Sequence, residues 1–70
     1  MTEQQLTAIK SLAERFNSDL DHTDVMHSPF GLPSGWVSVV VFRPEQGKAP
    51  HLCQTPAIVA GVAPNGSINS

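Results

Sequence analysis

Three histidines and one cysteine, His22, His27, His51 and Cys53, are the chain's whole supply of imidazole and thiol. Two or three histidines with a cysteine can close a tetrahedral zinc site, and such a site would help to hold a small fold. The spacing argues against one. His22 and His27 are five apart in a stretch without periodicity, His51 and Cys53 form His-x-Cys, and the double Cys-x-x-Cys pattern is absent. The expectation is solvent-facing histidines, a buried thiol and no metal, with a zinc-binding protein as a remote alternative.

Nucleophilic chemistry fares no better. Cys53 and His51 stand at alternating positions, which in a strand puts them on one face without making a productive hydrogen bond. Ser34 lies in Pro-Ser-Gly-Trp, which is not the Gly-x-Ser-x-Gly elbow. No Gly-Lys-Ser/Thr and no Gly-x-Gly-x-x-Gly is present to cradle a phosphate. Asp19, Asp21 and Asp24 cluster, but they lack the glycine and the closing glutamate of a calcium loop, and a solvated acidic loop is the expectation. No catalytic residue and no cofactor is therefore expected, and a domain of this size encloses little cavity.

Composition narrows the partners. Four basic residues stand against six acidic ones for a formal charge of −2, and Lys10, Arg15, Arg43 and Lys48 are scattered. Phosphate backbones are bound through clustered cations, so nucleic acid is disfavoured as a partner. No apolar run is long enough to span a bilayer, and Met1 to Gln5 lack the basic-then-apolar order of a secretory signal, so a cytoplasmic protein is expected. At 70 residues with one cysteine, the chain makes one small domain with no internal disulfide. Such a domain buries only about 60% of its unfolded surface.

The elements that must carry this surface are legible in outline. Thr2-Glu3-Gln4-Gln5 fits a capping box, and Leu6, Ile9, Leu12, Ala13 and Phe16 recur at helical spacing. Asn17 suits the left-handed position after a last turn, so the reading predicts a helix over 3–17. Residues 18–35 lose periodicity and read as a loop, with Leu20, Val25 and Met26 as its anchors to the core. Gly-Trp-Val-Ser-Val-Val-Val-Phe at 35–42 is β-branched and aromatic and predicts a strand over about 36–42. Further strands are predicted over about 52–55, 57–63 and 67–69. Pro64-Asn65-Gly66 marks the last turn, with Asn-Gly in left-handed angles. The small residues of 57–63 suit close approach by Trp36 or by the helix. The fold class is α+β, one N-terminal helix on a three- to four-stranded antiparallel sheet.

One helix covers one face of such a sheet. Alternation sends Trp36, Ser38, Val40 and Phe42 one way and Val37, Val39 and Val41 the other, so both faces of the central strand are apolar. The remaining face calls for a protein partner or a homo-oligomer. The expected binding surface combines Trp36, whose amphipathic ring suits an interface, with Phe30 and Leu32 in the preceding loop and with the valines Val37, Val39 and Val41.

Leu32-Pro33-Ser34-Gly35-Trp36-Val37 and Gly61-Val62-Ala63-Pro64-Asn65-Gly66-Ser67-Ile68-Asn69-Ser70, with the short helix before them, resemble small uncharacterised proteins of actinobacterial phages. This chain differs in Trp36, where that group is expected to carry tyrosine, and in a longer connection from Arg43 to Thr55. No site residue transfers from the resemblance. It implies a phage or mobile-element accessory protein acting in the host cytoplasm, by binding a host or phage protein or as a self-associating, virion-associated subunit.

Overall fold

A computed structural model describes residues 1–27 and 31–69. The helix α1 runs over Glu3–Arg15 and is capped at both ends by its own sequence. Thr2 Oγ1 accepts from the Gln5 backbone N–H at 3.1 Å while Gln5 Oε1 accepts from the Thr2 N–H at 2.9 Å, the reciprocal pair that the sequence predicts. At the other end Asn17 takes φ 55, and the N–H groups of Asn17 and Ser18 donate back to the carbonyls of Glu14 and Ala13. That is a Schellman closure with asparagine in the usual glycine position. The helix stops two residues short of the predicted 17.

Strands β1 (Thr23–His27), β2 (Val37–Phe42), β3 (Pro56–Val62) and β4 (Ile68–Asn69) form one antiparallel sheet in the order of the chain. The α+β class, with one helix on four strands, is what the sequence predicts. Two elements differ. Residues 18–35 are not one loop, because they contain β1 and, before it, a one-turn 3-10 helix over Leu20–His22 capped by the Asp19 carboxylate. Residues 52–55 are not a strand. Pro50–Leu52 form a second 3-10 turn with proline at its first position, and the Gln54 N–H donates to the Glu45 carboxylate instead of to a ladder. Of the three anchors expected in 18–35, only Val25 packs on the core, while Leu20 and Met26 are exposed.

The core lies between α1 and one face of the sheet. Ile9, Leu12 and Ala13 meet Val37, Val39, Val41, Ala60 and Val62. Leu6, expected on this stripe, is exposed, and Gln5 takes the buried place one position earlier. Its amide nitrogen donates to the carbonyls of Gly35 at 2.8 Å and Val62 at 3.2 Å, so its polar end is satisfied where a leucine would leave both oxygens bare. The Thr2 hydroxyl also donates to the Pro64 carbonyl, tying the helix start to the last turn. That turn closes with Gly66 at φ 90, and Asn65 stays outside the left-handed region, contrary to expectation. A Cβ on Gly66 would stand 3.0 Å from the Gln4 carbonyl oxygen, so glycine here also lets the helix approach.

Candidate protein-binding surface

Among the described residues, no α-helix and no second sheet covers the sheet face turned away from α1. Its composition follows from register. Asp24 pairs with Val40 and Val40 with Val59, while Met26 pairs with Ser38 and Ser38 with Gly61. Directly opposed residues share a face, so these side chains form two rows across three strands. Val59 is 56% exposed and Met26 62% exposed, and Val40 is half-buried between Asp24 and Val59, diagonal to Met26. Asp24 is the single charged side chain at the described strand positions of this face.

Trp36 and Leu32 close one end of the face. A methyl group on Gly61 would stand 3.4 Å from Leu32 Cδ1 and 3.4 Å from Trp36 Cε3, so both side chains lie directly over that glycine. This is the close approach expected of the small residues in β3. It is made possible by a turn from Pro33 to Trp36, in which the Trp36 N–H donates to the Pro33 carbonyl and Gly35 takes φ 87. Both side chains stay half-buried. Phe42, on the same parity as Trp36 and Val40, is half-buried toward the other end.

The residues expected to form a binding surface are thus divided by the fold. Trp36 and Leu32 belong to the open face. Val37, Val39 and Val41 do not: they are 3%, 0% and 0% exposed and lie under the helix, which corrects their assignment to a contact surface. The helix packs on them because a row of valines beside Ala60 makes a low surface, whereas the indole on the other side would hold a helix away. Phe30 lies outside the described residues. Met26 and Val59, the most exposed apolar residues of the face, were missed. The alternation of β3 carried the signal for Val59, and only the pairing of β1 reveals Met26.

The potential ligands do not converge. His22 sits in the first 3-10 turn, where its Nδ1 lies 2.7 Å from Asp19 Oδ1, and that hydrogen bond holds the Asp19 carboxyl below the ordinary carboxylate range. His27 is exposed at the end of β1, His51 is exposed in the second 3-10 turn, and Cys53 is buried with its thiol 3.6 Å from the Ala49 carbonyl. Among the described residues, no three histidine, cysteine, aspartate or glutamate side chains are placed to hold one metal ion. No helix there is long and apolar enough to cross a membrane. Comparison with protein families, curated proteins and solved structures gives no match.

Proposed function

We propose that the chain is a non-catalytic protein-binding module whose contact surface is the open face of the sheet, with Met26, Val40 and Val59 at its centre and Trp36 and Leu32 at its rim. One observation carries the reading. Two large aliphatic side chains stand more than half exposed on a face with one charge, while the opposite face is closed by the helix. Exposed apolar surface of this continuity is characteristic of interaction sites. The resemblance to small actinobacterial phage proteins supports seeking the partner among host or phage proteins and the site of action in the host cytoplasm.

The test is affinity purification from the encoding organism with the native chain and with a Met26→Asp, Val59→Asp variant, read by mass spectrometry. A partner held by the native chain and lost from the folded variant is expected. The same proteins held by both would overturn the reading. Self-association is the second reading, favoured by the same near-absence of charge, since two open faces can stack without bringing many like charges together. Light scattering at low concentration separates them: a defined oligomer that the double variant dissolves is the self-associating form.

A further inference from the structure

The edge of the sheet at β1 differs from the edge at β4. Natural sheets blunt their edges with proline, lysine, bulges or very short strands, because an edge is a row of unpaired N–H and C=O groups. Over the described residues β4 is only two residues long, a very short edge. β1 is five residues long, contains no proline and no lysine, and pairs with β2 in unbroken register, and no described strand lies on its outer side. Its outward backbone groups are a template for one more strand.

Charge selects the occupant. Asp24 is the second residue of β1, and the cleft just before the strand, between α1 and the first 3-10 turn, is lined by Glu14, Asp19 and Asp21 with Lys10 as its one cation. Three of the chain's six carboxylates therefore line the cleft that precedes β1, and a fourth, Asp24, lies in the strand itself. A second copy is disfavoured there: two β1 strands paired about Val25 would set their Asp24 carboxylates as diagonal neighbours about 7–8 Å apart on one face, where like charges repel. The same carboxylates favour a cationic strand.

We propose that β1 accepts an extended segment of another protein as a fifth, antiparallel strand, and that this segment alternates basic with apolar residues. A lysine or arginine opposite Asp24 pairs with its carboxylate, and the apolar residues at the alternate positions fall on the other face of the sheet, beside Val25 at the edge of the core. Backbone hydrogen bonds to β1 supply affinity and the acidic flank supplies selection. The proposal rests on the reading of the chain as a binding module, yet it uses a different surface from the face itself.

The probe is a capped heptapeptide of alternating lysine and valine, titrated into the full chain and followed by amide chemical shifts and hydrogen exchange. Saturable shifts over Thr23–His27 with slowed exchange of amides in that strand are expected. A copy of the peptide N-methylated at alternate residues should bind at least about tenfold more weakly, since it cannot complete the ladder. Asp24→Lys should exchange the preference for that of an alternating glutamate and valine peptide. Shifts confined to Val40, Val59 and Trp36 would overturn strand addition and leave the open-face reading standing. Equal binding of the N-methylated peptide, or no binding at millimolar concentration, overturns it too. Concentration-dependent protection of β1 without peptide would make a second copy the occupant and overturn the basic partner.

Discussion

The side-chain amide of Gln5 donates to the main-chain carbonyl of Val62 across 57 positions of sequence, and the same nitrogen donates to the carbonyl of Gly35. Its oxygen meanwhile caps the helix. One buried glutamine therefore joins the start of α1 to β3 and to the turn that leads into β2. Gln5→Leu should cost about 2–4 kcal/mol, because it strands the buried Val62 carbonyl, the part-buried Gly35 carbonyl and half of the capping box. Urea denaturation followed by circular dichroism measures this, and a loss below about 1 kcal/mol would show that the carbonyls find other partners.

The two faces of the sheet should answer differently to substitution. Val39→Ala empties part of a fully buried site and should cost about 1–3 kcal/mol. Val59→Asp, on an exposed site across the sheet, should stay within about 1 kcal/mol of the native stability while weakening association. Equal destabilisation by both would place Val59 in a core.

Gly66 serves conformation and contact together. Gly66→Ala must hold a Cβ at positive φ and 3.0 Å from the Gln4 carbonyl oxygen, so a cost of about 1–3 kcal/mol is expected from thermal unfolding. Asn17→Gly relieves the other left-handed position and should stabilise by about 0.5–1 kcal/mol, because glycine carries no Cβ penalty there.

Much of this is visible in the residues themselves. Thr2 with Gln5 announces the cap, Asn17 the stop, Pro64 and Gly66 the last turn, and the small residues of β3 a close approach by Trp36 or the helix, which Trp36 makes at Gly61. β1 is not announced, because Asp19, Asp21 and Asp24 speak for turns while the pairing of Val25 with Val39 is a tertiary fact. Nor is the face that the helix takes. Alternation shows two apolar faces on β2, and only the bulk of the indole against the evenness of the valines decides between them.

Acid should loosen the segment before β1. The Asp19 carboxyl accepts from the His22 imidazole and backbone and titrates below the ordinary carboxylate range in the folded chain. Its contribution is thus complete above the unfolded value of about 3.9 and is lost as pH falls through the lower folded value. The stability difference between the native chain and Asp19→Asn, taken from urea melts, should be present at pH 6 and shrink below about pH 4. The group is exposed, so the difference is small, and one that grew in acid would contradict the pairing.

The bonds from Thr2 to Pro64 and from Gln5 to Val62 also set an order of events during synthesis. The helical segment is made before the sheet, yet two of the carbonyls that fasten it belong to residues made 57 and 62 positions later. Each sheet neighbour is also the neighbour in sequence, so the strands can zip in the order of their emergence while the cylinder waits undocked. The nascent chain thus carries the apolar stripe of the helix uncovered until Val62 and Pro64 have been made, and the closing turn is what puts it away.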